Sequence, residues 1–258
     1  MVRQLTFSLL LFLAVIACAD DYILATGEDG TEIVYTADRM IYTNWLNTCV
    51  LWMPFPSDVG GGSYPDYSKE QNNGSQSTAG DRPTWEAGVY CFDGDTDYMT
   101  NTFDGMPSVL SNITVTFWAY PQAQSQSVHS VIMASPNNDA NRINIHLIFG
   151  ALTTYWDFGD ISEGGRVSIQ NSTWTNVWAH YSFTAESGVG MKIYRNAIEI
   201  ASTNTSSVFT KGEKTMVLGA TATLIDNWHG KLDDFRIYIR ALSSNEIYQI
   251  YLDAKGSH

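Results

Sequence analysis

Short apolar runs recur along the chain from Val50 onward, each bounded by Gly, Asn, Asp or Ser. Val50–Phe55, Ile113–Trp118, Val128–Met133 and Ile143–Phe149 are followed by Val177–Phe183, Met191–Tyr194, Met216–Leu218 and Leu232–Ile239. Ile113, Val115 and Phe117 alternate with Thr114 and Thr116. That period of two puts one face of a strand inward and the other outward. About a dozen such runs, with no amphipathic helices between them, predict an all-β antiparallel sandwich rather than a parallel α/β sheet. One helix is expected. Ser243 and Glu246 have the spacing of a capping box, and Ile247, Ile250 and Tyr251 follow on one face. A short C-terminal helix should therefore pack on the sandwich.

The first residues follow a different pattern. Arg3 precedes an unbroken apolar run, Leu9–Ala17, which is shorter than the roughly 20 residues a membrane span needs. Ala17-Cys18-Ala19 is a small-x-small site, followed at once by Asp20 and Asp21. Residues 1–19 read as a secretory signal peptide, so the protein is expected to be secreted, with no transmembrane segment. Val15-Ile-Ala-Cys18 also fits a bacterial lipoprotein box. In a bacterial source Cys18 would carry a lipid anchor. Residues 20–48 form an acidic extension in which Tyr22–Thr26 and Thr31–Thr36 read as a hairpin around Gly27–Gly30. Residues 49–258 read as one domain, without internal repeat or linker. Its long polar stretch Pro56–Gly88 has the length of a functional or disordered loop.

Composition narrows the class. The chain is 44% hydrophobic, 13% aromatic and 16% charged, too aromatic and too poor in charge for a disordered protein. Fourteen Lys and Arg against 27 Asp and Glu give a net charge of −13, which argues against nucleic acid and anionic membranes as partners. With Cys18 assigned to the leading segment, an oxidising compartment leaves Cys49 and Cys91 to form a disulfide. No zinc spacing occurs. Sequons at Asn73, Asn112, Asn171 and Asn204 make a glycoprotein if a eukaryotic secretory pathway handles the chain.

Several segments together resemble the laminin-G-like, concanavalin A-like lectin/glucanase jelly rolls. Cys91-Phe-Asp-Gly-Asp-Thr-Asp-Tyr98 is similar to the family's F-D-G-x-x-D-Y strand, and Thr114-Val-Thr-Phe-Trp-Ala-Tyr-Pro121 to its T-I-S-x-W-x-x-P strand. Trp178-Ala-His-Tyr-Ser-Phe-Thr184 and Met191-Lys-Ile-Tyr-Arg-Asn196 resemble the W-x-H-x-x-x-T strand and the L-x-L-Y-x-N-G hairpin. His229–Tyr238, Arg240-Ala-Leu-Ser243 and Glu246-Ile247 resemble the closing strand and the segment after it. Leu51–Phe55 and Asp66-Tyr-Ser68 fit the opening strand and its loop, and the order matches over residues 50–251. Two departures stand out. Lys69 replaces a Gly, which puts the 66–75 loop shape in doubt. Ala197 replaces the hairpin Gly, which predicts a different turn, because an Asn-Gly turn needs positive φ at both positions.

The resemblance implies a jelly roll and offers three kinds of chemistry. The E-x-D-x-x-E strand of the family's glucanases is absent, and the nearest acidic cluster, Asp93, Asp95 and Asp97, lacks a paired Glu, so no catalytic residue is assigned. His129, His146, His180 and His229 are scattered, and His180 reads as structural. Relatives hold a structural Ca²⁺ between the opening loop and the last strand. Asp233 matches the ligand position there, with Asp58 or Asp66 as the second carboxylate. Trp85, Trp156 and Trp174 are the aromatics expected to stack on a glycan. The expectation is a non-catalytic module that binds an extracellular glycan or protein. The alternatives are a subunit of an extracellular assembly, with residues 20–48 adding a strand to a neighbour, and a glycan hydrolase whose site carries no recognised motif.

Overall fold

The computed structural model describes residues 47–254 apart from 77, 103–104, 123–127, 150–151, 171–173 and 213–215, together with three strands upstream. The signal segment 1–19 and Asn171 lie outside the described residues. The chain divides into two units, residues 1–47 and 48–258. In the first, β1 (Ile23–Thr26), β2 (Glu32–Thr36) and β3 (Arg39–Tyr42) make an antiparallel sheet. The expected hairpin is the β1–β2 pair, with Ile23 opposite Tyr35, and β3 extends it.

The second unit holds eighteen strands among its described residues, more than the apolar runs imply, because several are two- or three-residue pairings inside polar stretches. In chain order they begin with β4 (Cys49–Met53), β5 (Ser63–Tyr64), β6 (Gly74–Ser75), β7 (Thr84–Glu86), β8 (Val89–Asp93) and β9 (Met99–Asn101). Next come β10 (Val109–Leu110), β11 (Asn112–Pro121), β12 (Val128–Asn138), β13 (Asn141–Phe149), β14 (Thr153–Gly159) and β15 (Arg166–Gln170). The last are β16 (Ala179–Glu186), β17 (Gly190–Arg195), β18 (Ile198–Thr203), β19 (Phe209–Thr210), β20 (Met216–Leu218) and β21 (His229–Tyr238), followed by α1 (Ser244–Ala254). One large sheet runs β18-β17-β16-β11-β21-β8-β7, with β4 also on β21; the other runs β15-β14-β13-β12-β20-β9-β6-β5, and β10 pairs with β19 apart from both. All pairings are antiparallel, which is the jelly-roll sandwich that the alternation predicts.

The core forms between the inward faces. Ile113, Val115, Phe117 and Ala119 of β11 are fully buried, as are Tyr181 and Phe183 of β16 and Ile145 and Leu147 of β13. Phe117 stacks on Phe183 and Phe235 at 5.7 and 5.8 Å between ring centres. Burying each such side chain contributes about 1.5–3 kcal/mol. The outward residues of the first sheet, Thr114, Thr116, His180 and Ser182, are covered too, because α1 lies nearby and buries Ile247 and Ile250. Tyr251 stacks on Trp118 at 5.7 Å. The capping box forms: Ser243 Oγ accepts from Glu246 N, and the Glu246 carboxylate accepts from Ser243 N.

Two expectations are overturned. Asn196 and Ala197 both adopt positive φ, 51° and 63°, so the two-residue turn survives without its glycine and Ala197 carries the strain. Cys49 and Cys91 are free thiols. Both strands pair with the same side of β21, end to end: Cys49 faces Tyr238 and Cys91 faces Lys231. Seven residues of strand separate them by on the order of 20 Å, far beyond the roughly 7 Å a disulfide spans.

Candidate functional site

A pocket of about 360 Å³ opens where the end strand of each sheet, β7 and β5, meets the loop after β4. Its walls include Asp58, Val59, Tyr64, Arg82, Trp85 and Tyr90. The loop is shaped by local bonds. Asp58 Oδ1 accepts from Gly60 N at 2.9 Å. Gly62 has φ +72°, and a Cβ there would lie 2.5 Å from Arg82 Nε, so only glycine lets the arginine lie against the chain. Arg82 Nε donates to Gln76 O at 2.9 Å, and Gln76 N donates to Gly62 O at 2.7 Å.

The aromatic walls are fixed from behind. Trp85 is half-buried, and its Nε1 donates to Phe55 O at 3.3 Å, which leaves only its ring for a ligand. Tyr90 packs edge-on against Phe55 and Tyr64 at 4.9 and 5.1 Å, and its hydroxyl accepts from Val59 N at 3.4 Å. Tyr64 is 2% exposed, and its hydroxyl makes no hydrogen bond among the described residues. Burial, then the neighbouring Tyr90, pushes the Tyr64 phenol well above its ordinary value, so it stays protonated as donor and acceptor.

An acidic turn packs behind the pocket. β8 ends at Asp93, whose Oδ1 accepts from the N–H groups of Asp95, Thr96 and Asp97. Burial opposes ionisation of Asp93, but those N–H groups hold its carboxyl below the ordinary value. Asp97 is 5% exposed and accepts from Asp93 N. Burial, with the charges of Asp93 and Asp81, pushes its carboxyl up to about 6. These carboxylates therefore shape a turn and do not line one face of a strand. Thr96 Oγ1 donates to Gly80 O and Tyr98 N to Asp81 O, tying the turn to the 79–82 segment of the pocket wall.

The other expected ligand-binding tryptophans lie elsewhere. Trp156 is fully buried and donates to Thr184 O at 2.9 Å, so it is a core residue. Its phase was readable, since it alternates with Asp157 and shares a face with Phe158. Trp174 is half-buried against Tyr181, with Arg195 over its ring at 5.2 Å, and does not line the pocket. Asn73 and Asn204 are exposed, Asn112 is half-buried, and Asn73 Oδ1 accepts from Asp66 N.

The carboxylates expected to hold calcium each accept from donors of the protein itself. Asp66 is buried, and its two oxygens accept from Trp52 N, Ser68 N, Ser68 Oγ and Asn72 N at 2.7–2.8 Å. That fills its lone pairs and gives the 66–75 loop its shape without the family's glycine. Asp58 belongs to the pocket loop. Asp233 accepts from Asp234 N. Among the described residues no group of three or more His, Cys, Asp or Glu side chains is placed to hold a metal. The residue that matters on β21 is Asp234, which the sequence reading passed over. It sits at a bulge with φ 48°, pairs through both oxygens with Arg236, and accepts from Trp52 Nε1. Arg236 in turn lies over the Trp52 ring at 4.9 Å.

A second polar array faces outward on the other sheet. Ser130 Oγ donates to Asn144 Oδ1 at 3.1 Å, and Asn144 bonds His146. Asp157 is held by Arg166 at 2.6 Å and Arg142 at 3.5 Å. Its polar groups are spent on one another.

No curated protein sequence matches the chain. Among solved structures it is similar to the botulinum neurotoxin serotype D binding domain, with a TM-score of 0.65 at 17% identity over 82% of this chain. The same domain in complex with N-acetylneuraminic acid gives 0.64 at 17%, again over 82% of this chain. The binding domain of Paraclostridial mosquitocidal protein 1 gives 0.60 at 15% over 81%. The chain spans 52% of each of these solved chains, and at such identity the likeness is one of fold. No described helix is long and apolar enough to cross a membrane. The laminin G model of the concanavalin A-like lectin/glucanase superfamily matches residues 92–248, more than half of the sequence, and the chain belongs to that family.

Proposed function

We propose that the protein is a secreted, non-catalytic recognition module that holds an extracellular glycan in the Trp85 pocket. The observation that carries this reading is the pocket itself. It offers an aromatic ring whose N–H is already used, and the hydroxyl of Tyr64 with no protein partner among the described residues. Aromatic rings beside placed polar groups suit a sugar, which presents C–H faces and hydroxyls to match. Asp58 is the one carboxylate among the lining residues, whereas glycoside hydrolysis needs a spaced pair. The botulinum toxin relative solved with N-acetylneuraminic acid lends support at the level of fold. The leading segment 1–19 and the exposed sequons Asn73 and Asn204 agree with an extracellular setting.

An array of immobilised extracellular glycans tests the reading, with wild type compared against Trp85→Ala and Trp174→Ala. Retention of defined glycans by wild type and Trp174→Ala, and loss with Trp85→Ala, is the expected result. Retention unchanged in Trp85→Ala would remove the pocket from the account.

A further inference from the structure

We propose that the Trp85 pocket selects uncharged, hydroxyl-rich sugars and turns away acidic ones; this rests on the glycan-binding reading above. Three features of the site lead there. First, the charges around it are unequal. Arg82 is the single cation of the wall, and its Nε is already committed to Gln76 O. Against it stand Asp58 in the wall and the turn carboxylates behind, and the Tyr64 hydroxyl lies within the influence of Arg82 first and then of the two carboxylates Asp97 and Asp58. At neutral pH Asp97 is ionised, since its carboxyl titrates at about 6. A ligand carboxylate would enter against these negative charges, and like charges brought together cost binding strongly.

Second, the polar groups on offer need a partner that can both give and take a hydrogen. Asp58 is exposed and can only accept, so the ligand must supply an O–H or N–H. The Tyr64 hydroxyl, unspent among the described residues, can donate and accept. A sugar hydroxyl satisfies both, whereas a carboxylate can answer only the Tyr64 donor. Third, Trp85 has no hydrogen left to donate, so its ring can offer only stacking to a C–H face.

Titration calorimetry with the full mature protein tests this. One set of probes is neutral oligosaccharides built of glucose, galactose, mannose and their N-acetylated forms. The other carries terminal glucuronic or N-acetylneuraminic acid on the same cores. Wild type should bind at least one neutral probe roughly tenfold or more tightly than its acidic counterpart at pH 7.4, the size expected of one unfavourable charge contact. Tyr64→Phe, which keeps the ring, should weaken the neutral probe by about tenfold, the cost of one unmade hydrogen bond. Asp58→Asn, which can still accept from Gly60 N, should narrow the gap between the two sets. Acidic probes bound as tightly as neutral ones, with loss on Trp85→Ala, would overturn the selectivity and leave the glycan site standing. No binding by either set, or binding indifferent to Trp85→Ala, would overturn both.

Discussion

Replacing Asp97 with Asn should raise the stability of the protein, and more so as pH rises. Asp97 is 5% exposed, and its one bond from Asp93 N does not offset burial and the charges of Asp93 and Asp81. Its carboxyl titrates at about 6 in the folded protein against 3.8 for the free group. That difference corresponds to about 3 kcal/mol at 1.36 kcal/mol per tenfold change. The folded state holds this proton more tightly than the unfolded chain does. The stabilisation it brings is complete below pH 3.8 and is lost as pH rises through 6. Asn cannot ionise, yet its oxygen can still accept from Asp93 N. Urea denaturation of both proteins from pH 4 to pH 8 measures the difference and cancels carboxylates remote from Asp97 whose values move the other way, such as Glu246. The advantage of Asp97→Asn should widen by about 2 kcal/mol between pH 4 and pH 8. A constant difference across that range would mean that Asp97 is not a buried, repelled carboxylate.

Three further outcomes follow from the geometry. Ala197→Gly should stabilise the protein by about 1 kcal/mol in denaturant melts, because Ala at φ 63° bears a strain that glycine does not. Peptide mass spectrometry after native alkylation should find Cys49 and Cys91 as separate thiols, with Cys91 modified slowly and Cys49 not at all. Cys49 is buried with its thiol pushed up to about 12, while Cys91 is half-exposed and pushed up to about 11. Thermal melts in excess calcium and in chelator should coincide, since the Asp66 oxygens are already filled by protein donors, and a calcium-dependent rise of several degrees would contradict that.

The sandwich was readable because its long strands announce themselves. The alternation of Ile113 to Phe117 gives the inward face of β11 directly, and the Ser243–Glu246 spacing gives the start of α1. The site was not readable to the same degree. Trp85 could be singled out as an aromatic within a long polar loop. Tyr64 sits on a two-residue strand among glycines and serines, and nothing local marks its ring as buried or its hydroxyl as unspent. The cysteine pairing failed because it depended on where two strands lie along β21, a fact of tertiary order that spacing does not carry. Asp66 and Asp234 look alike as acidic residues in a sequence. Only their neighbours show that one fills its oxygens with three backbone N–H groups and the Ser68 hydroxyl, and the other with Arg236 and the Trp52 indole.

The central claim is that a sugar occupies the pocket bounded by Trp85 and Tyr64. Nitrogen-15 NMR spectra of the protein, titrated with a glycan retained on the array, test it most directly. With a sugar in the pocket, the Trp85 indole N–H and the amides of Gly60, Gly62, Tyr64 and Thr84 should shift together and saturate with one affinity. Shifts confined instead to Tyr155, Asp157 and Ser168, on the outward face of the other sheet, would contradict it.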